Sequence, residues 1–123
     1  MSCSAAVIDL DGTVYRHRSL VPGADTAVEG LREHGIERLF FSNNPTESPE
    51  AYADRLAGMG LSVDPGEILS AATVTAEYVE REHDDDEIFL VGSSGLRDQL
   101  AAVRTTRPGI SRRRRARARR TPR

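Results

Sequence analysis

The chain has no lysine, no tryptophan and only one cysteine, and no long apolar run interrupts its polar sequence. Each absence excludes something. A lone Cys3 cannot close an internal disulfide, which points to a reducing compartment and a cytoplasmic protein. No stretch approaches the roughly 18 apolar residues needed to cross a bilayer. The N-terminus has no basic region ahead of its short apolar run, so neither a signal peptide nor a membrane partner is expected. With 123 residues there is room for one modest domain.

The formal charge of −2 averages two unlike segments. Residues 1–100 hold all 19 acids against seven arginines, a balance of −12, while residues 101–123 hold ten arginines and no acid, a balance of +10. All 17 basic residues are arginine, a usage that fits a GC-rich gene.

The most informative stretch runs from Ala5 to Tyr15. Strand-forming residues end abruptly in Asp9 and Asp11, followed by Gly12 and Thr13. Residues two apart on a strand point to the same side, and a desolvated carboxylate costs several kcal/mol unless paired. Two acids at the tip of a buried strand therefore imply a cation, a proton, or both. A plain turn with an Asx-type cap is the bland alternative.

Further along, strands and helices alternate. Asp11 to Leu20 reads as an irregular loop, tightest at Gly12. A helix starts at residues 21–24 and is capped by Gly35. Residues 36–41 form a second strand ending in Ser42, Asn43, Asn44 and Pro45. Ser48, Pro49 and Glu50 open the next helix, with Tyr52, Leu56 and Met59 on its apolar face. Residues 67–70 form a third strand, 71–82 a helix with Val74, Tyr78 and Val79 on one side, 88–91 a fourth strand and 96–103 a last helix. The acidic run Asp84–Asp86 reads as solvated, His17, His34 and His83 as surface residues, and Gly92–Gly95 as a strand-to-helix turn. The alternation predicts an α/β fold: a parallel sheet with helices on its faces.

In open parallel sheets, sites form beyond the carboxyl ends of the strands. Asp9 and Asp11 sit at one such end, and Ser42, Asn43 and Asn44 at another. Asp9 would attack a phosphoryl group, and Asp11 would protonate the leaving oxygen and later deprotonate water. Asp9 and Asp11 would hold Mg²⁺, a hard ion that prefers oxygen ligands. Gly12, Thr13, Ser42, Asn43 and Asn44 would bind the substrate's phosphate.

These residues resemble the haloacid dehalogenase superfamily of Mg²⁺-dependent phosphatases, and more narrowly its NagD-like, p-nitrophenylphosphatase branch (class IIA). The first motif of that superfamily stands here as Val7-Ile8-Asp9-Leu10-Asp11-Gly12-Thr13, followed by Tyr15 and Pro22-Gly23-Ala24; the second is Ser42-Asn43-Asn44. The resemblance covers residues 5–100. It implies a partial Rossmann-like core over residues 1–83, the start of an inserted cap domain over 84–103, and a small phosphorylated metabolite as substrate. It also implies a basic residue near the phosphoaspartate and a late acidic motif. The sequence has no lysine and no acid after Asp98, so the 123 residues read as the first part of such an enzyme, weakly active or inactive. In that family the first strand is flanked by strands that follow the cap; without them, residues 5–10 are expected to form an apolar edge.

Residues 104–123 are too polar and too charged to pack and are expected to be disordered. They read either as out-of-frame translation of a GC-rich gene or a truncation, or as an arginine arm that binds nucleic acid through phosphates; on either reading the tail would bind nucleic acid non-specifically. The second reading makes the chain a non-enzymatic nucleic-acid-binding protein on an inactivated phosphatase core.

Overall fold

A computed structural model describes residues 3–101 and 105–106; the arginine-rich segment from residue 107 onward lies outside the described residues. The expected α/β architecture is present. Three parallel strands, β1 (Ala5–Asp9), β4 (Glu37–Ser42) and β5 (Ile68–Ser70), form a sheet in the order β1-β4-β5. Register places Asp9 opposite Phe41 and Ser42 opposite Ser70, so the strands end at one level. Helix α1 (Ala24–Glu33) connects β1 to β4, and α2 (Pro49–Gly58) connects β4 to β5.

Strand alternation sorts the side chains. Leu10, Phe40 and Ile68 are buried against Val28 of α1 and Tyr52 and Leu56 of α2. Fully burying side chains of this size stabilises by about 1.5–3 kcal/mol each. The opposite face is far less covered among the described residues: Val7 is 74% exposed and Phe41 37%. Among the described residues strand β1 lies at the sheet edge, the position expected for residues 5–10. Beneath the sheet, Arg38 on β4 donates Nε and Nη2 to the Glu67 carboxylate at 2.7–3.0 Å.

Both core helices end by the same device. Gly35 and Gly60 adopt φ of +68° and +96°. Their N–H groups bond the Arg32 and Ala57 carbonyls, while those of Ile36 and Leu61 bond Leu31 and Leu56. This is the Schellman pattern that a terminal glycine permits. At the start of α2, the Ser48 side chain accepts from the Ala51 N–H at 3.2 Å, as its sequence signals.

Several local expectations change. Residues 11–20 are not wholly irregular: β2 (Tyr15–Arg16) and β3 (Ser19–Leu20) form a short antiparallel hairpin. Glu67 belongs to a single 3₁₀ turn over Pro65–Glu67, closed by reciprocal bonds between Asp64 and Glu67. Helix α3 (Ala71–Glu82) has the expected limits, but Val74 and Tyr78 on its apolar side are 44% and 51% exposed. The fourth strand, β6, is only Ile88–Phe89 and pairs in parallel with β7 (Thr105–Thr106), outside the core sheet. Helix α4 spans Ser94–Gln99, starting earlier than expected because Ser93 caps it. No described helix is long and apolar enough to cross a membrane.

Candidate active site

The carboxyl end of β1 is shaped by one main-chain oxygen. The N–H of Leu10 makes a further bond to β4, with the Phe41 carbonyl at 3.2 Å. The Leu10 side chain is fully buried. Its carbonyl accepts from the N–H groups of Thr13, Val14 and Tyr15 at 3.0–3.3 Å. That folds the following residues into a tight turn, completed by the Gly12 N–H bonding the Tyr15 carbonyl at 2.8 Å. Gly12 has φ +83°, a left-handed conformation that side-chain-bearing residues adopt at a cost.

Asp9 and Asp11 flank Leu10 and are both exposed. The Thr13 hydroxyl donates to Asp9 Oδ2 at 3.3 Å, leaving Oδ1 free of that bond. The expected site residues of the first motif thus converge on one strand end.

The second motif is placed at the neighbouring strand end, with a more closed arrangement. Ser42 is only 1% exposed. Its hydroxyl shares a 2.7 Å hydrogen bond with Tyr52 Oη and accepts from the Asn44 N–H at 3.2 Å. Ser42 is thus held back from the open end of the strand by burial and by these two bonds. Asn44 Oδ1 accepts from the Thr46 N–H and hydroxyl, at 3.0 and 2.7 Å, so it shapes the loop. Asn43 is exposed beside it.

Three residues that the motifs do not single out as site residues join the two strand ends. Arg55 of α2 donates Nη1 to Tyr15 Oη at 3.2 Å. Its guanidinium lies over the Tyr15 and Tyr52 rings, 5.6 and 4.9 Å from their centroids, and pairs with Glu47. Burial pushes the Tyr15 phenol up to about 12, opposed by the Arg55 charge and reinforced by the Asp11 carboxylate. Burial raises Tyr52 too, against its hydrogen bond with Ser42. The spacing of Tyr52 and Arg55, three apart on a helix, is the one sequence signal that they share a face.

The donor chemistry at β1 suits a hard divalent cation, since Mg²⁺ commonly takes one or two carboxylates and fills its shell with water and phosphate oxygens. Among the described residues, however, no group of three or more acidic, histidine or cysteine side chains is placed to hold a metal.

Known proteins resemble this chain in sequence and in fold. The sequence profile of the haloacid dehalogenase-like hydrolases matches residues 6–106. The chain is 34% identical over 100 residues to the acid sugar phosphatase of Staphylococcus haemolyticus, covering 81% of this chain and 38% of that protein. It thus spans about two fifths of the length of the curated relatives it matches. Among solved structures, the p-nitrophenyl phosphatase of Archaeoglobus fulgidus superposes with a TM-score of 0.75 at 31% identity, over 87% of this chain and 41% of the other. A glycerol phosphate phosphatase of Mycobacterium tuberculosis, solved in complex with magnesium, gives 0.72 at 25% identity, over 85% and 31%. NagD of E. coli shares the fold, with a TM-score of 0.76 at 24% identity, over 86% and 42%. The chain belongs to the haloacid dehalogenase-like hydrolases.

Proposed function

We propose that this chain carries the nucleophile and the acid–base group of a phosphate-monoester hydrolase. The observation that carries the reading is the placement of Asp9 and Asp11 on either side of buried Leu10, at the carboxyl end of β1. Asp9 attacks phosphorus while the bond to the leaving alcohol breaks, and Asp11 supplies the proton that the departing oxygen takes up. Asp11 then accepts a proton from water as that water displaces phosphate from Asp9, which restores Asp9 as a carboxylate and Asp11 as the acid. The Thr13 hydroxyl on Asp9 Oδ2 orients the nucleophile. The exposed Asn43 receives the phosphoryl oxygens, with Ser42 behind it at the end of β4.

Asp9 and Asp11 would hold Mg²⁺, which when bound offsets the negative charge of the phosphoryl group. The substrate class is a small phosphorylated metabolite. Relatives named as acid sugar phosphatases make a sugar phosphate the first to try. Hydrolysis of such esters demands among the largest barrier reductions in enzymology. With no lysine and no acid after Asp98, little turnover is expected of these 123 residues by themselves.

The test is mass spectrometry of the 123-residue chain incubated with p-nitrophenyl phosphate and Mg²⁺. The expected result is one added phosphoryl group on the peptide containing Asp9, absent in Asp9→Asn and longer-lived in Asp11→Asn. Modification that survives Asp9→Asn, or no modification of the native chain, would overturn the assignment.

A further inference from the structure

The network around Arg55 has a property that neither catalytic motif supplies: it ties the β1 loop to the β4 loop through side chains alone. From one side, Tyr15 brings in its hydroxyl, with Asp11 joined to the same turn through the Asp11–Tyr15 bridge and the Gly12–Tyr15 hydrogen bond. From the other, Tyr52 brings in a hydroxyl bonded to Ser42, which in turn fixes the Asn44 N–H. Both rings are buried, at 1% and 0% exposure. Arg55 lies over both and bonds Tyr15 Oη, with its outer edge held by Glu47.

This is an unusual position for a helix-surface arginine. A guanidinium has a flat face that lies over aromatic rings and a fixed fork of donors, whereas an ammonium is a point charge and cannot do both. Rotating either ring breaks a contact with the same cation, so the two loops share one constraint.

We propose that Arg55 is a positioning residue, which sets the placement of the Asp11 loop relative to the Ser42–Asn44 loop by clamping Tyr15 and Tyr52 together. The proposal deepens the phosphatase reading and rests on it for its purpose. Asp11 must stand at a fixed distance from a phosphoryl group whose oxygens the other loop receives. A misplacement of about 1 Å in such an arrangement lowers rate by about a hundredfold.

The test reads geometry, not turnover, so its failure is distinct from failure of the Asp9 chemistry. Amide hydrogen exchange is followed at Gly12 on the β1 side and Asn44 on the β4 side, with Gly35 and Ile36 at the end of α1 as references. Tyr15→Phe removes the acceptor for Arg55 and should accelerate exchange at Asn44 as well as at Gly12. Tyr52→Phe should do the converse, each by roughly two- to tenfold, while the references keep their protection. Arg55→Lys should abolish these crossed effects when combined with either variant. A merely structural role would lower protection at all sites together. Effects confined to each variant's own loop, or crossed effects that persist with Arg55→Lys, would overturn the proposal.

Discussion

Replacing Glu67 by glutamine isolates one of the strongest long-range polar contacts in the core. Arg38 and Glu67 lie 29 residues apart, and their side chains are only 8% and 25% exposed. The guanidinium reaches both carboxylate oxygens, and Nη1 lies 3.5 Å from the Val28 carbonyl. Glu67 Oε2 also accepts the Asp64 N–H at 3.0 Å, closing the turn before β5. Breaking a fully buried pair from one side costs about 3–5 kcal/mol, because the surviving charge stays desolvated. Glu67 is a quarter exposed, so solvent relieves part of that, and an amide retains one acceptor. About 2–3 kcal/mol remains. For a domain of this size that is a fall of roughly 8–20 °C in melting temperature, against a total stability of about 5–15 kcal/mol. Urea and thermal melts followed by circular dichroism measure it. The double variant Arg38→Met/Glu67→Leu should recover most of the loss, since apolar replacement of a buried pair is often neutral. A Glu67→Gln variant within about 0.5 kcal/mol of the parent would refute the reasoning.

Two other perturbations test separate parts of the fold. Tyr15 binds its proton more tightly folded, at about 12, than at the ordinary 10.0. Its contribution is therefore complete below pH 10 and lost as pH rises from 10 to 12, a destabilisation of about 2–3 kcal/mol at the upper end. Absorbance at alkaline pH should show its ionisation arriving together with loss of helical signal; ionisation at the ordinary value with the fold intact would count against burial as the cause. At the sheet edge, Val7→Lys places a charge on an exposed apolar position and should suppress self-association without moving stability by more than about 0.5 kcal/mol. Light scattering over a concentration series decides it, and unchanged association would show that the β1 edge is not the sticky surface.

Much of this fold is written in local chemistry. Ser48 before Pro49, and Gly35 after the last turn of α1, announce helix ends because capping is decided within a few residues. Asp9 and Asp11 are legible for the same reason, as two charges where an apolar strand stops. The hairpin over residues 15–20 is not, because its strands are two residues each and its turn uses His17 at φ +55° where a glycine or asparagine would have signalled it. The Arg55 cluster is hidden differently: Tyr15 and Arg55 are 40 residues apart, and an arginine on a helix reads as solvated until a ring from elsewhere covers it. Val74 and Tyr78 show the converse. Helical spacing identifies them as a face, but spacing carries no information on what packs there.

Three amides of the first loop close on the single carbonyl of Leu10, so the curve that presents Asp9 and Asp11 is encoded in peptide groups more than in side chains. The course of the backbone is therefore set apart from the side chains it carries, and the Thr13 hydroxyl on Asp9 Oδ2 and the buried Val14 side chain act on a loop already curved. Proline is excluded at residues 13, 14 and 15, because each of those positions must supply an N–H.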